Sequence, residues 1–158
     1  MTDYLSPGAY LPHEAPMLLL QDVLSVTDEQ ATCRVTVEAH GVLAPFLNAE
    51  GALPGWFALE LMAQTVGVWS GWHRRQQGDT ASELGMVLGA RELSTSTPAF
   101  TAGSTLEITV TLLMQDQRFG SFDAQISADD NIVATGRINT FQPDAEALAQ
   151  LFQQGGSV

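Results

Sequence analysis

Glu60 is the side chain best placed by its surroundings to do chemistry. It stands in Trp56-Phe57-Ala58-Leu59-Glu60-Leu61-Met62-Ala63-Gln64, a carboxylate among apolar neighbours. An ionised carboxylate in an apolar setting is costly unless paired or hydrogen-bonded, so such a group tends to keep its proton. That is what a general acid needs near neutral pH. At helical spacing Glu60, Gln64, Gly67 and Gly71 share one narrow stripe, at steps of four, three and four. Gln64 can then hydrogen-bond Glu60 one turn away. The two glycines leave the stripe open, either for a ligand or for a close-packed backbone. The competing reading is a structural ion pair between Glu60 and a buried arginine, Arg91 or Arg34.

Other candidates carry less context. Pro54-Gly55 falls where the long helix should begin, and free N–H groups at a helix start can hold a developing oxyanion; an ordinary helix start has the same look. His13 lies in Leu11-Pro12-His13-Glu14-Ala15-Pro16. Histidine is the commonest acid–base residue, yet a lone one beside proline is more often a turn or surface residue. His40 and His73 read as a loop histidine and a helix-end cation. Ser70 is in no G-x-S-x-G elbow, and Cys33 has no nucleophile's context either. Cys33 is the single cysteine, which excludes an intrachain disulfide and a cysteine-rich metal site. No metal or cofactor is expected. Trp56, Phe57, Trp69 and Trp72 could line an aromatic tunnel or could be core, since pockets and cores share this composition.

The elements that must hold these groups follow from periodicity. Leu53-Pro54-Gly55 should open one long helix, with proline tolerated in its first turn. From Trp56 to Arg75 no proline interrupts, and the segment is apolar nearly all round, the mark of a buried helix. His73, Arg74 and Arg75 suit its C-terminal dipole. Strands are expected over Met17–Val26, through Cys33, Val35 and Val37, over Met86–Ser96, through Leu106 to Met114, through Phe122 to Ile126, and over Ile132–Phe141. Asp129-Asp130-Asn131 reads as a hairpin loop. Pro143–Gln154 reads as a short C-terminal helix. One buried helix among five or six antiparallel strands predicts an α+β arrangement in which the sheet wraps the helix, as a single domain over residues 1–158.

Composition narrows the partners. The chain has 158 residues, 18 acidic side chains against six arginines and no lysine, and a formal net charge of −12. Nucleic acid and anionic membranes reward clustered basic residues, so neither is expected as a partner. The longest apolar stretch, Leu53 to Trp72, contains Glu60 and Gln64, which a membrane span tolerates poorly. With no signal-peptide pattern at the N-terminus, a cytoplasmic setting is expected.

Three stretches resemble the bacterial β-hydroxyacyl-carrier-protein dehydratases. Leu11-Pro12-His13-Glu14-Ala15-Pro16-Met17-Leu18-Leu19 is similar to that family's L-P-H-x-x-P-x-L-L. Pro54 to Gln64 is similar to its helix motif P-G-x-x-x-x-E-x-x-A-Q. Gly89-Ala90-Arg91, followed by Pro98 and Gly103, is similar to a later strand and turn. The resemblance implies a hotdog fold, a long central helix wrapped by the sheet. It implies Glu60 as the acid that protonates the departing 3-hydroxyl of a 3-hydroxyacyl thioester, Gly55 as the residue whose N–H polarises the thioester carbonyl, and Gln64 as a neighbour of the site; the open stripe and the aromatic residues separately put Gly67 and Trp56 forward as substrate contacts. The substrate would hang on the phosphopantetheine of an acyl carrier protein. Arg74 and Arg75, with His73, form the one local basic cluster, and either it or a basic partner subunit is expected to receive such an acidic carrier.

The departures from that pattern are as informative as the matches. The family's histidine, in a G-H-F-P loop fourteen residues before the acid, falls here on Phe46. Gln21 replaces an aspartate, and Ser104 an acid. This chain is most similar to a divergent subgroup that shares the histidine loss and includes dehydratase-like subunits of aryl polyene pigment synthesis. Hotdog dimers build each site from two protomers, so the resemblance implies a homodimer or a heterodimer with a second hotdog subunit. The missing base would be a partner histidine or His13. A noncatalytic hotdog subunit and an acyl thioesterase remain the alternatives.

Overall fold

The computed structural model describes residues 4–11, 17–76, 78, 87–116 and 119–141. Asp22–Val26 (β1) pairs antiparallel with Gln30–Thr36 (β2). A two-residue strand, Leu53–Pro54 (β3), precedes the single long helix, Phe57–Gln76 (α1). Val87–Thr95 (β4), Ala99–Phe100 (β5), Thr105–Asp116 (β6), Phe119–Ala128 (β7) and Asn131–Phe141 (β8) follow. Six strands form one antiparallel sheet in the order β1-β2-β6-β7-β8-β4, while β3 and β5 make a separate pair.

Alternation does most of the sorting. Ala31, Cys33 and Val35 of β2, Leu106, Ile108 and Val110 of β6, and Phe122, Ala124 and Ile126 of β7 are buried on one face. Against that face lie Ala58, Leu61, Met62, Val66, Val68 and Trp69 of α1. The intervening residues, among them Thr32, Thr109 and Gln125, point to the outer face, as a period of two requires. Asp129 and Asp130 adopt φ of 51° and 70° between β7 and β8, the left-handed pair that a two-residue hairpin favours.

The sheet-wrapped helix agrees with the sequence reading; two boundaries do not. The first strand starts at Asp22 instead of Met17, because residues 17–19 are bound to a helix side chain described below. The helix starts at Phe57, not at Leu53-Pro54-Gly55. Leu53 and Pro54 pair instead with Phe100 and Ala99, and Leu53 is fully buried there. A short extended segment followed by a turn was the better local solution once β5 supplied a partner strand. The expected helix over 143–154 lies outside the described residues. No described helix is long and apolar enough to cross a membrane.

Candidate active site

Glu60 lies in the first turn of α1, half-buried. Gln64, one turn on, is 1% exposed. Its Nε2 donates to Glu60 Oε1 at 3.0 Å and to the Met17 carbonyl at 2.8 Å. Its Oε1 accepts the Leu19 N–H at 2.9 Å. A backbone N–H can only donate and a backbone carbonyl can only accept, so the two main-chain partners fix which way the amide faces. Gln64 therefore presents an N–H, not an oxygen, to the carboxylate. With both amide hydrogens and the oxygen engaged, it orients Glu60 and anchors residues 17–19.

The rest of the stripe is covered by the N-terminal segment. A Cβ on Gly67 would come within 2.5 Å of Leu11 Cδ2, and one on Gly71 would collide with the Tyr10 carbonyl. Gly71 against Tyr10, Gly67 against Leu11 and Gln64 against Met17 and Leu19 trace one path along the helix. Of the two uses the glycines left open, the structure shows close packing. Gly67, expected as a substrate contact, faces the Leu11 side chain here. His13 lies outside the described residues.

The expected helix-start donor stands against the neighbouring 97–98 turn. Gly55 N–H already donates to the Pro98 carbonyl at 2.8 Å. A Cβ there would stand 3.0 Å from Pro98 O and 3.1 Å from Thr97 O, so glycine is needed for this close approach of the 97–98 turn. The Gly55 N–H is spent within the fold, joining the β3–β5 pair to the helix start.

Phe46, at the position where the resemblance places a histidine, ends a short 3-10 turn over Ala44–Phe46. Its ring packs at 5.3 Å on Phe57, the first residue of α1. A carbon ring thus fills the place of a base beside the helix start. Neither described histidine replaces it. His40 is exposed. His73 is held by the Thr27 carbonyl at 3.0 Å and by the Trp69 ring at 4.4 Å, thirteen residues beyond Glu60, or about 20 Å along the helix. The two arginines considered as structural partners of Glu60 lie elsewhere: Arg34 pairs with Asp22 at 3.0 Å, and Arg91 is exposed on β4.

The comparisons with known proteins bear on this arrangement directly. The family described as ApeP-like, ApeP dehydratase, matches residues 5–153. The chain belongs to the ApeP-like dehydratase family. The 3-hydroxyacyl-(acyl-carrier-protein) dehydratase FabZ of Latilactobacillus sakei is 35% identical over 140 residues, covering 87% of this chain and 96% of its own. Among solved structures, the dehydratase heterocomplex ApeI:P from Xenorhabdus doucetiae contains a chain 51% identical, with a TM-score of 0.88, over 95% of this chain and 99% of that one. The TT0310 protein of Thermus thermophilus, 18% identical with a TM-score of 0.56 over 77% of this chain and 91% of its own, shares the fold. Membership makes this chain a dehydratase-type protein with the hotdog fold.

Within that family frame, the surroundings of Glu60 are unfinished. Met17, Trp56 and Leu59 are 54%, 75% and 37% exposed. The Met17 carbonyl shares Gln64 with Glu60, and Leu59 precedes Glu60 in the first turn of the helix. Glu60 itself is half-buried, so the described residues do not enclose it fully. Trp56 projects outward, so it does not line a tunnel within this chain. Trp69 and Trp72 meet His73 in the far half of the helix. Arg75 is exposed and Arg74 half-buried, at the end of α1 remote from Glu60. Cys33 is buried, and that burial pushes its thiol up to about 12, which removes it as a nucleophile.

Sequence reasoning missed the main-chain partners of Gln64 and the Pro98 carbonyl. The two glycines at helical spacing were the available signal for the first, because they mark where another backbone approaches. Nothing local marked the second.

Proposed function

We propose that this chain is the acid-bearing subunit of a dehydratase that converts 3-hydroxyacyl thioesters on a carrier protein to trans-2-enoyl thioesters, in fatty acid or aryl polyene synthesis. The observation that carries this reading is the carboxylate of Glu60, held by the Gln64 N–H at an apolar rim, beside a helix start whose expected histidine is Phe46.

In this reaction a base takes the proton on C2, which the thioester makes acidic. The electron pair forms the C2–C3 double bond, the C3–O bond breaks, and Glu60 delivers a proton to the leaving hydroxyl, which departs as water. Gln64 holds one carboxylate oxygen and so sets the orientation of the acid. Because Gly55 N–H is taken by Pro98, polarisation of the thioester carbonyl falls to the amides that follow it, at Trp56 and Phe57, where a helix start leaves N–H groups without helical partners. The base comes from a second hotdog subunit, whose surface also covers Met17, Trp56 and Leu59. The heterocomplex formed by the Xenorhabdus doucetiae relative supports that division of labour. The phosphopantetheine arm of the carrier reaches the rim from outside, and Arg74 and Arg75 contact the carrier. A cytoplasmic setting fits this chemistry.

Incubation of the assembled pair with 3-hydroxyacyl and saturated acyl thioesters tests the reaction class. Enoyl thioester from the first and no change in the second is expected. Free acid from both would assign a thioesterase instead.

A further inference from the structure

On the outer face of the sheet, away from α1, the polar residues mostly satisfy one another across the strands. Thr32 bonds Thr109 at 3.1 Å, Thr36 bonds Thr105 at 3.4 Å, Gln30 bonds Thr111 at 3.2 Å, and Ser121 bonds Asn139 at 3.0 Å. Asp22 pairs with Arg34, and Asp123 with Arg137. One place breaks the pattern. Gln125 and Thr135 stand directly opposite each other, yet among the described residues neither side chain makes a hydrogen bond, and Glu92 beside them makes none. These three side chains border a hollow of about 400 Å³ that Gln30, Thr109, Thr111 and Asp123 also line.

A bulge brings Glu92 there. Two residues of β4, Glu92 and Leu93, stand opposite the single Gly136 of β8. A Cβ on Gly136 would be 3.1 Å from Leu93 Cδ1 and 3.5 Å from Met62 Sδ, so the missing side chain makes room for Leu93 on the helix side. Glu92 turns to the other face with a φ of 55°. That is left-handed backbone, which a residue with a side chain adopts only at a cost. The bulge thus holds an unpaired carboxylate over the hollow, beside an amide and a hydroxyl that are unpaired too.

The lining selects the ligand. Only Ala124 and Gly136 in it lack a polar side chain, so an apolar compound has little to bury against. Two carboxylates and a chain charge of −12 repel anions. Among the described residues no group of three His, Cys, Asp or Glu side chains could hold a metal ion. An organic cation finds one free carboxylate, because Arg137 already pairs with Asp123 at 3.3 Å. Such a cation only donates, which leaves the Gln125 amide hydrogens unmatched. A hydroxyl both donates and accepts, as do the threonine hydroxyls and the glutamine amides of the lining. We infer that this hollow is a binding site for a neutral polyhydroxy compound of the sugar or cyclitol class, with Glu92, Gln125 and Thr135 taking its hydroxyls. Its volume is in the range of small-molecule sites, and it lies across the sheet from the helix that carries Glu60.

The test is a titration of the isotope-labelled full chain, followed by amide chemical shifts. The probes are glucose, maltose and myo-inositol, with spermidine and inorganic phosphate alongside. At least one of the three polyols should shift the amides of Glu92, Gln125 and Thr135 saturably, while spermidine and phosphate leave them in place. Glu92→Gln should weaken that binding about tenfold, and Thr135→Val about fivefold. Far-ultraviolet circular dichroism, and dehydratase turnover of the assembled pair, should stay unchanged in both variants. No saturable shift with any of the three polyols overturns the inference. Saturation of these amides by spermidine or phosphate also overturns it, by making the hollow an ion site. Polyol binding indifferent to both substitutions overturns it as well.

Discussion

Gln64 donates to Glu60 at 3.0 Å while its remaining amide hydrogen and its oxygen bind the main chain of Met17 and Leu19. One buried side chain thus fixes both the acid and the segment lying over the helix. Gln64→Leu removes the donor to Glu60 and strands a carbonyl and an N–H. At about 1–3 kcal/mol for each unsatisfied buried group, a loss of roughly 2–6 kcal/mol is expected in urea denaturation. Turnover with the partner subunit should fall with it. A variant of wild-type stability would show that the segment does not depend on this side chain.

Much of this was legible in the sequence. Alternation through Cys33, Val35, Leu106, Ile108, Phe122 and Ile126 set the buried face, and the uninterrupted run after Trp56 set the helix. Glu60 and Gln64 were paired by spacing alone. What the sequence hid was non-local. Leu53-Pro54 became a strand because Ala99–Phe100, more than forty residues later, lay alongside it. Gly55 lost its free N–H to Pro98 for the same reason. The apolar run around Glu60 looked like full enclosure because a sequence does not separate residues that the chain buries from those it leaves exposed, and Trp56 and Leu59 are of the second kind.

Gly71 and Gly67 differ in what presses on them, and substitution should separate the two. At Gly71 the obstacle is the Tyr10 main chain; at Gly67 it is the end of the Leu11 side chain. Gly71→Ala should cost about 1–3 kcal/mol, as overpacking does. Gly67→Ala should cost less, because a leucine methyl can rotate aside. Equal costs in thermal or urea denaturation would contradict the covered-stripe packing.

Cys33 gives a pH dependence. Its thiol is pushed from 9.0 up to about 12 by burial, so above pH 9 the folded chain keeps a proton that the unfolded chain releases. Its contribution to stability is present below pH 9 and declines as pH rises toward 12. Cys33→Ala should flatten that decline. Thiol reagents should label Cys33 slowly in the native protein at pH 8 and fast in urea; rapid native labelling would place the thiol outside the core.

Arg74→Glu with Arg75→Glu tests carrier contact at the far end of α1. KM for a carrier-bound substrate should rise about tenfold with kcat little changed, and turnover of a small soluble thioester should stay as it was. Equal effects on both substrates would mean that these residues serve only the helix end.

Glu60→Gln keeps the size of the side chain and removes its proton-donating acid. The most direct measurement is enoyl thioester formation by the wild type and by Glu60→Gln, each assembled with the histidine-bearing subunit. A loss of about 100- to 10,000-fold in kcat with assembly intact is expected of a general acid. Undiminished turnover in an intact complex would remove Glu60 from the chemistry and leave this chain a scaffold for its partner.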